Sequence, residues 1–266
     1  MRRRFHNNKR VIAKQTIIAW FVRGLVSAAV MWTTCSAACA QTRKKKEAPP
    51  GIAERGKLLF EDDFSEKELL WTFDPSAGEW GIVKKTLLTK SIRGAGKGYK
   101  WSSISRQFTP SENVILEMKA LLPSDSAVTL SVSFTGPAPA APREAPAPPG
   151  RGTIRGCITP DEKTMRLQFY KRGEGSEQLA VGAFPYTKRK WVALLFEVFE
   201  DKYALTVEGR TIKWVQVGDE KRQKSEVHVA LWTTKELQDV VAIDDVSVWE
   251  ALPKDEEEEK GKERKN

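Results

Sequence analysis

Histidine and cysteine, the side chains that most often serve as bases and nucleophiles, are rare in this sequence. The 266 residues contain two His and three Cys, and only His228 and Cys157 lie beyond residue 40. A Ser-His-Asp or Cys-His enzyme would have to act through His228, but Val227 and Val229 on either side predict a strand, where we expect a hydrogen-bonded core or face histidine. Cys157 is expected to be a small buried hydrophobe. A histidine-based zinc site, which usually needs several His or Cys ligands, is not expected.

Paired carboxylates are the second kind of chemistry to consider, because glycosidases need two of them at a fixed separation. Glu197 and Glu200 are three residues apart, so on a strand they would point to opposite faces. A pair assembled from distant strands stays open. We therefore leave enzyme activity uncertain and favour a noncatalytic domain, with no catalytic residue assigned.

Aromatic side chains are the third candidate, because sugar rings have apolar faces that stack on indoles. Seven Trp follow residue 40, and those inside predicted strands are expected in the core, namely Trp80, Trp191, Trp232 and Trp249. Tyr99 and Trp101, beside the glycine-rich segment 94–98, and Tyr186, in a basic loop, are predicted to be better exposed. These three are our predicted carbohydrate-binding residues. The glycine-rich segment lacks the spacing of a phosphate-binding loop.

Residues 1–40 have the features of a secretory signal peptide. Basic residues at the start are followed by the apolar run Gly24–Trp32, and Ala38-Cys39-Ala40 fits the small-x-small cleavage rule, so Gln41 would be the first mature residue. We expect an exported protein, periplasmic or extracellular. Two alternatives stay open: a retained membrane anchor, which reaches the required length of about 20 residues only by including Arg23, and a lipoprotein attached through Cys39.

The net charge of +9 comes mostly from this N-terminal segment. The chain has 44 Lys+Arg against 35 Asp+Glu, and residues 1–40 hold seven basic and no acidic side chains, which leaves 37 against 35 in the remainder. Nucleic acid is therefore not an expected partner. Composition also excludes a collagen, a multi-span membrane protein and a disulfide scaffold.

The rest of the chain divides into a domain with two charged ends. Residues 41–56 are predicted to be a flexible lead-in, 57–252 a single domain, and 253–266 a charged disordered tail. Within 57–252, about thirteen short runs rich in β-branched and aromatic residues alternate with turn signals, and no segment has a convincing helical pattern. This predicts an all-β, two-sheet antiparallel β-sandwich. Residues 135–152 interrupt it with a Pro/Ala-rich segment, which we interpret as a surface loop.

Three sequence segments carry a family resemblance. They are Leu58–Phe64, Gly78–Val83 with Leu87 and Leu88 behind it, and Val241–Val248. Together they resemble the concanavalin A-like lectin/glucanase (laminin-G-like) jelly roll, and in particular secreted bacterial 3-keto-disaccharide hydrolase-like domains. The sequence departs from that pattern at the first hairpin, where Lys84-Lys85-Thr86 replaces the usual Asp-Gly type of turn, and it lacks the Glu-x-Asp-x-x-Glu strand of laminarinase-type members.

The resemblance also bears on metals and function. Related sandwich modules often hold a structural calcium near their joined termini, where this chain has Asp62, Asp63, Asp244 and Asp245; carboxylate oxygens suit calcium. Strand-end hydrogen bonding is the alternative role for these four residues. No other cofactor is expected. We predict an exported domain that binds carbohydrate or a cell-envelope partner. The alternatives are a glycoside or 3-keto-glycoside hydrolase of the same fold and a structural envelope protein without a small ligand.

Overall fold

The structure is a computed structural model that describes residues 51–254 except 67, 74, 76, 95–99, 124–127, 137–151, 172–174, 216–222 and 234–239. This part of the chain contains fifteen strands and no helix. In chain order the strands are β1 (Glu54–Asp62), β2 (Thr72–Phe73), β3 (Gly78–Ile82), β4 (Leu87–Gly94), β5 (Lys100–Ser111), β6 (Val114–Leu121), β7 (Val128–Thr135), β8 (Gly152–Thr159), β9 (Thr164–Lys171), β10 (Gly175–Ala183), β11 (Trp191–Phe199), β12 (Lys202–Val207), β13 (Arg210–Val215), β14 (Lys224–Thr233) and β15 (Ala242–Leu252).

The strands form two antiparallel sheets. Sheet I has the order β13-β12-β11-β6-β15, and the free side of β15 pairs with β1 and then with β4, which also pairs with β3. Sheet II has the order β10-β9-β8-β7-β14-β5, with β2 beside β5. The end of β4 crosses to pair with β5 and so links the sheets. The predicted all-β antiparallel sandwich is confirmed.

The core lies between the two sheets and follows from the period-two alternation of their strands. In β14, Val227, Val229 and Leu231 are fully buried, while the residues between them lie on the other face. Across the core, Phe134 of β7 stacks on Phe196 of β11, with ring centroids 5.6 Å apart and planes 11° apart. Each sheet therefore has one face in the core and one outer face, and it is the outer faces that are available for function.

The β3–β4 hairpin forms despite its unusual turn sequence. Val83 and Thr86 exchange backbone hydrogen bonds of 2.9 and 3.1 Å, and the two residues between them, Lys84 and Lys85, have φ of 51° and 60°. Positive φ at both central positions is the geometry of the type I′ turn, which Asn-Gly usually fills. The turn is thus made with two residues that have no intrinsic preference for it.

Both ends of the predicted domain extend further than the sequence indicated. The expected flexible lead-in ended at residue 56, but residues 54–56 belong to β1, and residues 51–53 lie against sheet I. At the other end, Lys254 donates a hydrogen bond of 3.2 Å to the carbonyl oxygen of Gly51. The prediction missed both contacts because their partners are more than about 60 residues away in sequence. The predicted signal at 1–40, residues 41–50 of the lead-in, 137–151 of the Pro/Ala-rich loop and 255–266 of the tail lie outside the described residues.

No described segment of the chain forms a helix with the length and apolar character that a bilayer requires.

Candidate functional site

The outer face of sheet II carries a dense set of polar and aromatic side chains. The strand registers place outward-facing residues of neighbouring strands side by side. One such row runs across five strands and consists of Ser105 of β5, His228 of β14, Ser133 of β7, Arg155 of β8 and Gln168 of β9. Because every member is polar, this face differs from the aliphatic face of the same strands, which builds the core.

An aromatic pair lies at one end of this face. Trp101 of β5 and Trp232 of β14 are register partners, and their rings stack with centroids 6.3 Å apart and planes 27° apart. Both side chains are half-buried, and the Trp232 indole N–H lies 3.4 Å from the Ser131 hydroxyl of β7. The pair presents an apolar indole surface next to hydroxyl groups.

Arg155 occupies the middle of the face. Its guanidinium carbon lies 3.9 Å from the centroid of the Tyr170 ring and 5.8 Å from that of the Trp232 ring, so the cation is held between two aromatic side chains. Burial lowers the pKa of Arg155, and the nearby Cys157 and Tyr170 act in the opposite direction. Even so, an arginine stays charged in proteins, and Arg155 places a fixed positive charge on the face.

His228 forms a small hydrogen-bonded cluster on the other side of β7. Its Nε2 atom lies 3.0 Å from Oε2 of Glu226 and 3.2 Å from the hydroxyl of Thr135, and this hydroxyl is 3.2 Å from the same carboxylate oxygen. The expected hydrogen-bonded histidine is thus found, on the outer face rather than in the core. Both His228 and Glu226 keep about a third of their side chains exposed.

The floor between these groups is made of small side chains. Ser131 and Ser133 of β7 and Thr159 of β8 are all buried although they face outward. Cys157 is buried on the same floor, and burial raises the pKa of its thiol to about 12. It is therefore a protonated thiol at neutral pH rather than a nucleophile, as the sequence indicated.

The described carboxylates on and beside this face are too far apart to act as a glycosidase pair. Among the described outward side chains of β5, β14, β7, β8 and β9, Glu226 is the only carboxylate. Glu162, in the turn before β9, reaches back to pair with Arg166. From the strand registers, spacing and rise, the backbones of Glu226 and Glu162 are roughly 30 Å apart, whereas glycosidases hold their two carboxylates about 5–10 Å apart.

Of the three predicted carbohydrate-binding residues, the structure describes Trp101 and Tyr186, and these two lie in different parts of the fold. Trp101 is part of the face described above. Tyr186 lies in the loop before β11, packs on Phe184 at 6.1 Å between ring centroids, and donates its hydroxyl to the carbonyl oxygens of Leu122 and Pro123 at 3.1 and 3.2 Å. Tyr186 therefore attaches its loop to the core. Tyr99 lies outside the described residues.

The four predicted calcium ligands all use oxygen atoms within the protein. Asp62 accepts hydrogen bonds from the backbone N–H of Phe64 at 2.7 Å and from the indole of Trp71 at 2.9 Å. The carboxylates of the other three do likewise: Asp63 accepts from the Ser65 N–H at 2.9 Å, Asp244 from the Asp245 N–H at 3.0 Å, and Asp245 from the Lys119 ammonium at 2.6 Å. In the described part of the chain no three Asp, Glu, His or Cys side chains are grouped as a metal site requires. Calcium binding stays a prediction, and the observed contacts are those of the alternative, strand-end role.

Glu197 has a structural role that the sequence did not predict. It lies on the outer face of sheet I, is 0% exposed, and accepts hydrogen bonds of 2.9–3.2 Å from the backbone N–H groups of Gly51, Ile52 and Ala53. Burial raises the pKa of Glu197, while these three donors and the Lys254 ammonium favour the charged form and limit that rise. Glu197 is thus a clamp for the start of the domain and not one of a catalytic pair.

Trp232 is the main difference from the predicted site. It was expected in the core, but it lies on the outer face of sheet II. The alternation in β14 contained the signal, because Val227, Val229 and Leu231 face the core and so place His228 and Trp232 on the opposite face. Arg155 had no comparable signal, since its importance depends on the two rings that surround it. Both rings come from other strands.

Several solved structures of other proteins share this fold. The chain superimposes on a galectin-like protein of unknown function from Bacillus subtilis with a TM-score of 0.57 and 12% sequence identity, covering 76% of this chain and all of that one. The catalytic domain of an endo-1,3-β-glucanase (laminarinase) from Thermotoga petrophila gives a TM-score of 0.55 at 12% identity, covering 75% and 99%. The family 16 endo-β-1,3(4)-glucanase SCLam gives 0.56 at 10%, covering 76% and 94%.

The chain has the concanavalin A-like jelly-roll fold. The resemblance drawn from Leu58–Phe64, Gly78–Val83 and Val241–Val248 is confirmed at the level of fold. No protein-family model matches the sequence, and no curated protein matches it. Identities of this size show a shared fold only, so the activity must be argued from the side chains of this chain.

Proposed function

We propose that the outer face of sheet II binds carbohydrate and does not cleave it. The observation that carries the proposal is the half-buried Trp101–Trp232 stack on an outer sheet face, next to the hydroxyls of the floor. A sugar ring has an apolar face for an indole and hydroxyls for polar neighbours, so this combination suits it. The similarity in fold to laminarinases and to a galectin-like protein supports the choice of ligand class.

A binding function is favoured over hydrolysis by the charges on this face. The backbones of Glu226, on this face, and Glu162, in the turn before β9, are roughly 30 Å apart by strand geometry, and Glu226 is engaged with His228 and Thr135. The alternative, a glycoside or 3-keto-glycoside hydrolase, requires a second acidic group within about 10 Å of Glu226. A cell-envelope glycan is the partner that an exported domain of this kind would meet.

A glycan array probed with the full chain tests this proposal. Trp232→Ala removes one indole of the stack, and we expect it to weaken binding at least tenfold, about 1.4 kcal/mol. Trp191→Ala is the matched control, because Trp191 is a half-buried Trp in sheet I and its loss should leave binding unchanged. Absence of any array signal, or equal loss in the two variants, would refute carbohydrate binding by this face.

Export is a separate part of the proposal. It rests on residues 1–40, whose basic start, apolar run and Ala38-Cys39-Ala40 boundary fit a cleaved signal. Expression in an exporting bacterium and mass determination of the product distinguish the possibilities. A chain that starts at Gln41 supports a cleaved signal, a diacylglyceryl-modified Cys39 supports a lipoprotein, and an intact N-terminus in the membrane fraction supports an anchor.

A further inference from the structure

Arg155 and Arg166 both lie on the outer face of sheet II, but their partners among the described residues differ. Arg166 pairs with Glu162, and His228 lies next to Glu226. The contacts of Arg155 are the rings of Tyr170 and Trp232, and no carboxylate of the described residues lies within ion-pair distance of its guanidinium. Among the described residues, no acidic group therefore compensates this partly buried positive charge in the middle of the proposed site.

The two aromatic rings do not meet the hydrogen-bonding needs of this guanidinium. A ring attracts the cation through its π face, but the five N–H donors of arginine lie in the guanidinium plane and point to its edge. Burial has already removed part of the water around the group, which is why its pKa is lowered. The ligand that best satisfies a planar, partly desolvated fork of donors is an oxyanion bound through two oxygens.

The surroundings of Arg155 fix where such an oxyanion would lie. Ser133 and Gln168 are its register partners on the two neighbouring strands, so a hydroxyl and an amide flank the guanidinium. Trp232, which Arg155 contacts, is also the indole proposed to stack on a sugar ring. A single sugar unit with a negative group could therefore contact both residues at once.

We propose that the site is selective for an acidic sugar, with the ring stacked on Trp232 and an oxyanion of that sugar bound by Arg155. This inference rests on the proposed carbohydrate function and names its ligand class. A uronic acid carboxylate and a sugar sulfate share the required chemistry. A neutral sugar would leave the charge of Arg155 buried without a counterion, which is unfavourable, so the uncompensated charge favours acidic over neutral ligands.

The test measures binding of the full chain to three sets of polysaccharides: a polyuronate, a sulfated glycan and a neutral glucan. Three variants are compared with the wild type. Arg155→Gln removes the charge, Arg155→Lys keeps the charge but loses the planar fork, and Arg210→Gln removes an equal charge from an exposed position at the start of β13 in sheet I. Thermal unfolding of each variant shows whether it is folded.

The expected result is preferential binding of an acidic polysaccharide that weakens with added salt. Arg155→Gln should reduce this binding at least tenfold, on the order expected for hydrogen bonds to a charged group, Arg155→Lys should retain part of it, and Arg210→Gln should retain all of it. If Arg155→Gln loses binding to the polyuronate, the bound group is a carboxylate. If it loses binding to the sulfated glycan alone, the bound group is a sulfate.

Two results would overturn the inference. Binding of the neutral glucan by the wild type as tight as that of the acidic polysaccharides, with no change in Arg155→Gln, would leave the carbohydrate function standing and remove the acidic selectivity. A loss in Arg210→Gln as large as that in Arg155→Gln would mean that general charge, and not the Arg155 fork, attracts the ligand. Absence of binding to all three sets would overturn the proposed function as well.

Discussion

The clamp formed by Glu197 gives a sharp test of how the start of the domain is held. Three backbone N–H groups, of Gly51, Ile52 and Ala53, donate to this one carboxylate. The same segment covers a small apolar cluster on the outer face of sheet I that includes Ile115. Replacement of Glu197 by Ala removes the acceptor for all three donors and leaves an apolar cavity beneath the segment.

The cost of Glu197→Ala can be estimated from these contacts. A buried donor left without an acceptor costs about 1–3 kcal/mol, so three donors set an upper limit near 9 kcal/mol. Two effects lower it: residues 51–53 precede β1 and can detach so that water replaces the carboxylate, and burial of Glu197 already disfavours its charge. We therefore expect a loss of about 2–4 kcal/mol. Glu197→Gln keeps one carbonyl acceptor and should lose about half as much.

The assay combines urea unfolding, followed by tryptophan fluorescence, with hydrogen exchange of the amides of residues 51–53. The exchange measurement distinguishes a detached segment, in which only these amides lose protection, from general destabilisation. Glu208→Gln is the control, because Glu208 is exposed and accepts a single backbone N–H bond, from Ala193 at 2.6 Å. If the free energy of unfolding of Glu197→Ala lies within about 0.5 kcal/mol of the wild-type value, and the amides of residues 51–53 keep their protection, the clamp does not contribute to stability.

Two further predictions concern the hairpin turn and the buried thiol. Replacing Lys84-Lys85, both at positive φ, by Asn-Gly should stabilise the protein by about 1 kcal/mol in urea unfolding, because this pair prefers the type I′ turn; a lower stability would contradict the turn assignment. Burial raises the pKa of Cys157 from about 9 to about 12, so the unfolded chain releases the thiol proton in a range where the folded chain keeps it. The folded state should therefore lose stability between pH 9 and pH 12, by at most about 1.4 kcal/mol per pH unit. Cys157→Ala should lose less over this range, and equal loss in the two proteins would show that the thiol is not buried.

The fold could be predicted from the sequence because it depends on local patterns repeated along the chain. The strict alternation of Val128–Phe134 indicates a strand with one buried face, and β7 has that structure, with its apolar residues in the core. Strand order and register had no such signal. Two-sheet packing follows from many short strands, but which strand lies beside β7 depends on pairings between residues far apart in sequence.

The candidate site could be predicted only in part, for the same reason. Trp101 is predicted because it follows a glycine-rich segment, whereas Trp232 is predicted in the core only because it lies inside a strand pattern, with no face assigned to it. Arg155 and Glu197 take their roles from partners on other strands, Tyr170 and Trp232 for one and residues 51–53 for the other. A charged residue inside a strand pattern signals that a partner is needed, but it does not identify the partner.

Hydroxyl-radical footprinting with mass spectrometry tests the central claim most directly. The full chain is oxidised with and without the polysaccharide that gives the strongest array signal, and the oxidation of each tryptophan is measured. Binding at the outer face of sheet II predicts protection of Trp101 and Trp232 and unchanged oxidation of Trp191 in sheet I. Protection of Trp191 with unchanged oxidation of Trp101 and Trp232 would place the ligand on the other sheet and contradict the account.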